Sequence, residues 1–327
     1  MKELYPLRGI VTVLNTPFTL TDQIDFPALE RNVRLALDAG VAGFLAPAMA
    51  SEVQQLSKEE RLDMIACVIQ ASEGRVPVFA GTASSNFDET KDMLLSCLEL
   101  GCTHVLFQLP FSNEKQFTRE FLQLAERGPE VIMLQDWDAE GDGLPDHLLM
   151  ALFEAVPSFR CLKIETKTAG SKYTRMLELS GGRLHVSGGW AVTQMIDGLT
   201  RGVHSFMPTG MHWVYTKIFR DFHEGNLQEA TALFNEILPV LAFSNQNLDI
   251  SIHFFKRLLW KQGIYPTPDC RPPILPLDDM HVDLADSLIQ KVLEVEKRIK
   301  RETLANSSQV QSPAGNRAQW ISKKTEQ

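Results

Sequence analysis

The hydrophobic residues of this chain fall into short apolar runs that alternate with segments of helical periodicity. The first run, GIVTVLNT at 9–16, is followed by a helical pattern over 25–39 that stops at Gly40. The same alternation repeats as far as a run at 203–208 and gives eight strands separated by helices. Such alternation is typical of a parallel sheet, and eight units predict a (β/α)8 TIM barrel.

A doubly wound parallel sheet is the main alternative fold. It is disfavoured because neither GxGxxG nor a P-loop follows the first strand. Beyond Gly210 the pattern becomes entirely helical, apart from a proline-rich loop at 265–276. We therefore predict three parts, listed in chain order: the barrel core through strand eight at 1–210, the last barrel helix and a C-terminal helical extension at 211–303, and a polar, disordered tail at 304–327.

Composition and charge narrow the classes of function. The chain has 327 residues, of which 44% are hydrophobic and 22% charged, as in a soluble globular protein. Its net charge of −9 provides no basic face for nucleic acid. No run has the length of a membrane span and no apolar leader opens the chain, so we expect a cytoplasmic protein without a membrane partner. The five cysteines lack CxxC spacing and no metal-ligand cluster is evident, so no metal is predicted.

A single lysine stands inside the apolar run RCLKIET at 160–166. Alternation along a strand directs Leu162 and Ile164 outward onto helices, and Lys163 into the barrel lumen. There the amine is partly stripped of water, which is the environment that a Schiff-base lysine needs. The alternative is a strand-end lysine that reaches solvent or pairs with Glu165.

Several motifs carry a resemblance to a known family. They are TPF at 16–18, PVFAGT at 77–82, LKIET at 162–166 and SG at 187–188. Together they make the span 7–300 similar to the dihydrodipicolinate synthase / N-acetylneuraminate lyase family of class I aldolases and dehydratases. The resemblance implies that Lys163 condenses with the carbonyl of a 2-oxo acid and that the iminium serves as the electron sink. It also implies no cofactor and a homo-oligomer, either a tetramer or a dimer.

The chain departs from the family pattern at the positions whose side chains transfer protons or hold the substrate carboxylate. The family's glycine- and hydroxyl-rich loop reads AMASE at 48–52. Its remaining candidates for holding a substrate carboxylate are the backbone N–H groups of Ala50 and Ser51 and the Ser51 hydroxyl. The family's tyrosine falls on Gln135, which orients water or a carbonyl but supplies no phenol proton.

Three further departures concern substrate specificity. The family's intersubunit tyrosine falls near Phe111, and its substrate-binding arginine falls near Glu140. The acidic residues that sialic acid lyases carry after strand seven are replaced by GWA at 189–191. These changes argue against both dihydrodipicolinate synthesis and a sialic acid substrate.

Other side chains are candidates for supporting roles. Glu165 shares a face with Lys163, and Asp136 lies at the rim of strand five although strand parity directs it away from Gln135; both are candidate acid/base groups. His204 matches a family position whose backbone contacts the bound keto acid, and Gly188 ends the seventh strand. These two residues are predicted to bind substrate.

The sequence leaves two classes of function open. The first is a lyase, aldolase or dehydratase, in which Lys163 forms a Schiff base with a 2-oxo acid or a related small carbonyl compound and Gln135 assists. The second is a catalytically impaired barrel that binds a small carbonyl or carboxylate ligand as a regulatory or binding protein. Loss of the family's hydroxyls and tyrosine is the feature that supports the second.

Overall fold

The computed structural model describes residues 2–84, 86–189 and 192–310. Eight parallel strands form a closed barrel in which neighbours in the chain are neighbours in the sheet, and β8 pairs with β1. This confirms the predicted (β/α)8 barrel. The strands β1 to β8 are Gly9–Val13, Gly43–Leu45, Val78–Gly81, His104–Phe107, Val131–Asp138, Phe159–Thr166, His185–Gly188 and Ser205–Phe206.

Helices follow each strand and continue beyond the barrel. Their starts often carry a side chain that accepts a hydrogen bond from an otherwise unpaired backbone N–H. Ser57 and Glu60 form a reciprocal capping box at the start of the helix that follows the second strand. The helices α1 to α11 are Phe26–Asp38, Lys58–Ser72, Phe87–Glu99, Glu114–Ala125, Asp146–Ala155, Ala169–Leu179, Met195–Thr200, His212–His223, Leu227–Ser244, Leu248–Lys261 and Asp279–Val310.

Strand parity decides which residues fill the barrel and which pack beneath the helices. Leu162 and Ile164 of β6 join the outer core with the helices, whereas Cys161 belongs to an inner cluster. In the pairing of β5 with β6, Gln135 stands beside Lys163 and Trp137 beside Glu165. Since neighbours in register share a face, these side chains meet above the inner cluster, at the carboxyl ends of the strands.

The C-terminal helices extend further than the sequence predicted. The last of them, α11, continues to Val310 and so enters the segment 304–327 that we expected to be disordered. Residues 311–327 lie outside the described part of the chain. The division at residues 210 and 303 remains a prediction. No helix within the described residues is both long enough and apolar enough to cross a membrane.

Aromatic rings close the amino end of the barrel. The Tyr5 hydroxyl and His104 Nε2 are 2.9 Å apart, and the Tyr5 ring meets His185 edge-on. His185 Nε2 donates to the Leu7 carbonyl over 2.8 Å. Burial lowers the pKa of His185 to about 3, so the imidazole is neutral at neutral pH. This end of the barrel is filled, and the open cavity lies at the other.

Candidate active site

A cavity opens at the carboxyl ends of the strands, where barrel active sites lie. Its empty volume is about 690 Å³ with the open mouth included, which suits a small molecule. Among the described residues that line it, the charged ones are Lys163 and Glu165. The wall between them and the mouth is built from apolar and amide- or hydroxyl-bearing side chains.

Lys163, Glu165 and Gln135 form one contiguous group in this cavity. The Lys163 ammonium lies 3.1 Å from Glu165 Oε1, and Gln135 Nε2 donates a hydrogen bond to Glu165 Oε2. Lys163 is 4% exposed and Glu165 9%. Glu165 is therefore held from two sides, and its carboxylate is the base nearest to the lysine among the groups described here.

Two adjacent glycines, at the end of β7 and directly after it, allow close packing beside this group. A methyl group added at Gly189 would lie 2.1 Å from Glu165 Oε1, so only glycine leaves Glu165 its present place. The Cβ position of Gly188 points instead towards Phe206 and the Tyr173 hydroxyl, each at 2.7 Å. Gly188 was predicted to bind substrate, but it serves the packing of β7 against the outer layer because its Cα faces away from the cavity.

The loop after β2 is anchored from below. Asn15 Nδ2 donates to the Ala50 carbonyl over 2.7 Å, and Thr16 Oγ1 donates to the Ser51 carbonyl over 2.7 Å. Ala50 lines the cavity, and the contact of its N–H with a substrate carboxylate stays a prediction. Ser51 does not line it: its hydroxyl donates to the Leu14 carbonyl over 2.5 Å, and its N–H donates to the Ala48 carbonyl. Both Ser51 groups predicted to hold a carboxylate thus already donate to protein carbonyls, the N–H to Ala48 in the loop and the hydroxyl to Leu14 after β1.

A buried ion pair fixes the far end of the same loop. Glu52 has a left-handed backbone, with φ +59°, and its Oε1 lies 2.6 Å from the Lys256 ammonium of α10. Its Oε2 accepts the backbone N–H of Arg271 over 2.7 Å. The side chains of Glu52 and Lys256 are 1% and 0% exposed. This pair joins the strand-two loop to the C-terminal helices that cover the cavity.

Asp136 lies outside the cavity, although it was predicted as a candidate acid/base group. Its side chain points outward from β5 and lies 2.5 Å from the Lys172 ammonium of α6. Asp136 Oδ1 also accepts the Leu144 N–H over 2.7 Å. Strand parity is the reason, since Asp136 follows the inward-facing Gln135. Burial raises the pKa of Asp136, while Lys172 opposes that shift. The pair ties the loop after β5 to α6.

His204, which was predicted to bind substrate, lies at the closed end of the barrel and is not among the described residues that line the cavity. It precedes β8, its ring stacks on His185 at 5.2 Å, and its Nδ1 accepts the Val186 N–H. Its backbone N–H donates to the Val186 carbonyl, and its carbonyl accepts the Gly9 N–H. The cavity is lined instead by residues that follow β8, among them Met207 and Thr209.

Several cavity residues were missed from the sequence, and Tyr215 of α8 is the foremost. His212 at the start of that helix does not line the cavity, because it is buried between Thr12 and Asn32. Tyr215 lies three residues on, where the helical period places the same face. The end of α9 and the start of α10 add Ser244, Asn245, Asn247 and Ser251. No periodic signal marks these residues, because tertiary packing places them.

Two further points from the sequence concern residues 190–191 and a possible metal site. Trp190 and Ala191, which replace the acidic residues of sialic acid lyases, lie outside the described residues. Within 2–84, 86–189 and 192–310, no group of three or more histidine, cysteine or acidic side chains could hold a metal ion.

Comparison with known proteins identifies the family. The model of the dihydrodipicolinate synthetase family matches residues 6–292. The chain belongs to this family. It is similar to the L-2-keto-3-deoxyarabonate dehydratase of Azospirillum brasilense, with 24% identity over 86% of this chain and 92% of the relative. It is also similar to the 4-hydroxy-tetrahydrodipicolinate synthase of Methanosphaerula palustris, with 25% identity over 86% of this chain and 97% of the relative.

Structural similarity agrees at the level of the fold. The crystal structure of dihydrodipicolinate synthase from Rhodopseudomonas palustris superposes with a TM-score of 0.79 over 89% of this chain and all of that one, at 18% identity. Membership of this family makes the protein a Schiff-base lyase of the aldolase and dehydratase type, as the sequence predicted. The alternative of a binding or regulatory protein is not favoured.

Proposed function

We propose that the protein dehydrates a 2-oxo acid that carries a hydroxyl group on C4, with Lys163 as the Schiff-base nucleophile. The observation that supports this most directly is the buried contact of Lys163 with Glu165, itself held by Gln135. A nucleophile, a base in contact with it and a group that orients the base form the arrangement expected for covalent catalysis. The relative from Azospirillum, whose length is largely covered, is named as a dehydratase.

Glu165 carries the protons of the first stage. It takes one proton from the Lys163 ammonium over the 3.1 Å contact, which frees the amine to attack the C2 carbonyl. The resulting carbinolamine loses its hydroxyl as water after receiving that proton back from Glu165. The products of this stage are the iminium on Lys163, one water molecule and the Glu165 carboxylate.

Elimination then uses the same carboxylate. Glu165 removes a proton from C3, and the electron pair passes into the iminium to form an enamine. The enamine expels the C4 hydroxyl, which leaves as water with the proton from Glu165. Addition of water to C2 of the unsaturated iminium releases the product and restores the Lys163 amine. Gln135 keeps the carboxylate directed at the reacting carbons through its hydrogen bond to Oε2.

Dihydrodipicolinate synthesis fits this cavity poorly. Gln135 replaces the phenol that relays protons in the family pattern, and the Ser51 hydroxyl donates to the Leu14 carbonyl and not into the cavity. Glu140 stands near the position of the family's arginine, and its side chain is 90% exposed in a 3.7 Å pair with Lys167. We therefore place the substrate among monocarboxylic 2-oxo acids.

We further propose a homo-oligomer that works in the cytoplasm. Phe111 and Trp137 are 47% and 41% exposed and line one broad groove beside the cavity, which gives a second copy an apolar surface. The five cysteines are free thiols, as is usual in a reducing compartment. Light scattering on the purified protein and cell fractionation test the two statements, and a monomer or an exported protein would contradict them.

Borohydride trapping tests the proposed chemistry. The protein is incubated with pyruvate or a 2-oxo-3-deoxy sugar acid, reduced, and digested, and the adduct is located by peptide mass. We expect the adduct on Lys163, and turnover of the sugar acid with release of water. The Lys163→Ala variant should lose both, whereas Lys167→Ala, at an exposed lysine of the same segment, should retain both. Absence of any adduct in the unaltered protein contradicts the proposal.

A further inference from the structure

The mouth of the cavity carries a second polar group of residues, distinct from the Lys163 group. Tyr215 comes from α8, and Ser244, Asn245, Asn247 and Ser251 come from the junction of α9 and α10. We call these five residues the collar. They bear hydroxyl and amide groups and no charge. Lys163 and Glu165, the charged residues in the described lining, come from β6.

Tyr215 is the most informative member of the collar. It is 1% exposed, lines the cavity, and its hydroxyl makes no hydrogen bond to any other described residue. Burial raises the pKa of its phenol above the ordinary value, so the group is neutral and keeps its proton. The hydroxyl is open to the cavity, so a bound tail that covers it without supplying an oxygen would leave it unpaired at a cost, and a tail that supplies one would not.

The junction of α9 and α10 supplies matching groups. Asn247 caps α10 through Oδ1, which accepts the Ile250 N–H over 2.9 Å, so its amide is fixed at the cavity wall. The Ser251 hydroxyl lies one helical turn further on the same helix and has no hydrogen-bond partner among the described residues. Gly210 lets α10 approach this closely, because a Cβ there would lie 2.5 Å from the Phe255 ring.

We infer that the collar is a subsite for an uncharged, hydroxylated tail of the substrate, with Tyr215 as its main selecting residue. This inference rests on the proposed function and narrows it to 2-oxo-3-deoxy sugar acids. Hydroxyl groups donate and accept, as phenol, serine and amide groups require. A carboxylate tail would lack a cation in the described collar, and a plain alkyl tail would leave Tyr215 unpaired.

Trapping with three acids of five carbons tests the inference. They are 4,5-dihydroxy-2-oxopentanoate, 2-oxopentanoate and 2-oxoglutarate, which share the 2-oxo acid head and differ in the tail. With cyanoborohydride present from the start, which reduces the iminium and largely spares the free ketone, the half-saturating concentration for labelling Lys163 compares how well the three acids are recognised. We expect the dihydroxy acid to label at the lowest concentration. Tyr215→Phe should raise that concentration about tenfold, the worth of one hydrogen bond, and leave 2-oxopentanoate unchanged or improved.

Matched variants separate the outcomes. Tyr173→Phe is the control, since Tyr173 is equally buried, at 2%, but packs against Gly188 outside the cavity. Ser251→Ala gives a second measurement should Tyr215→Phe fail to fold, and it should weaken the same preference. The collar inference is overturned if all three acids label equally, or if Tyr215→Phe and Ser251→Ala both keep the preference for the dihydroxy acid. The Schiff-base proposal then still stands. Absence of any adduct in the unaltered protein overturns both.

Discussion

At the scale of single residues, the chemistry depends on how Glu165 is held. It touches the Lys163 ammonium on one side and the Gln135 amide on the other, while Gly189 leaves room behind it. Each of these neighbours limits the orientations open to the carboxylate. The base is therefore positioned before substrate arrives, which lowers the entropic cost of the proton transfers.

Replacing Glu165 by glutamine keeps its shape and removes its basicity. We expect Glu165→Gln to lower kcat by about 10² to 10⁴-fold, the usual worth of a positioned acid/base group, with a small change in KM. Lys163 should still be trapped, although more slowly. The measurements are steady-state kinetics on a 2-oxo-3-deoxy sugar acid and the rate of borohydride labelling.

An exposed carboxylate from the same rim provides the control. Glu140→Gln removes an equal charge from a side chain that is 90% exposed, so kcat should stay near that of the unaltered protein. Similar kcat values for Glu165→Gln and Glu140→Gln would refute the role of Glu165.

Strand parity accounts for what could be predicted at this scale. It placed Lys163 and Gln135 inward and Asp136 outward, because alternation along a strand is a local property. It could not foresee that the Ser51 hydroxyl turns towards the first strand or that His204 lies at the closed end. Those positions depend on hydrogen bonds to Leu14 and Val186, which are distant in the chain.

At the scale of elements, the loop after β2 and helix α10 are joined by Glu52 and Lys256. Both side chains are fully buried, and the Lys256 ammonium also lies 4.3 Å from the Phe18 ring. A buried ion pair contributes little net stability against an apolar pair, but removal of one partner leaves an uncompensated charge. The connection between loop and helix is therefore sensitive to single substitutions.

We expect Lys256→Met to lower the free energy of unfolding by about 3 to 5 kcal/mol, because Glu52 is left buried without its cation. Urea denaturation followed by circular dichroism measures the change. The double variant Glu52→Gln with Lys256→Met should recover part of the loss, since the unpaired charge is then gone. A double variant less stable than Lys256→Met would argue against this account.

A surface pair of the same chemistry gives the comparison. Lys58 and Asp92 are 2.5 Å apart, but their side chains are 38% and 63% exposed. Solvent screens such a pair, so Lys58→Met should cost less than about 1 kcal/mol. If Lys58→Met proved as costly as Lys256→Met, burial would not be the deciding factor.

At the scale of the whole molecule, the fold followed from the sequence more completely than the site did. Eight apolar runs separated by helical patterns are a repeating signal, so the barrel and the C-terminal helices were both predicted. The collar was not, because Tyr215 and Ser251 meet only after α8 and α10 pack over the barrel. Helix α11 also runs past residue 303 to Val310, although the composition there is as polar as that of a disordered tail.

Buried histidines make the stability of the whole molecule depend on pH. Burial lowers the pKa of His185 to about 3, and that of His204 and His212 to about 4. Unfolding returns each ring to an ordinary pKa of about 6.5. Between those values the unfolded chain binds protons that the folded protein does not. The free energy of unfolding is therefore undiminished by these histidines above pH 6.5 and falls as the pH is lowered.

The predicted slope is about 1.4 kcal/mol per pH unit for each histidine that is protonated only on unfolding. Urea denaturation between pH 6.5 and 5 measures it, above the range in which ordinary carboxylates titrate. His212→Gln should reduce the slope by one proton whatever it does to the absolute stability, because amides do not titrate there. His147→Gln is the control, since that side chain is 72% exposed. A slope that His212→Gln leaves unaltered would mean that this histidine is not buried in its neutral form.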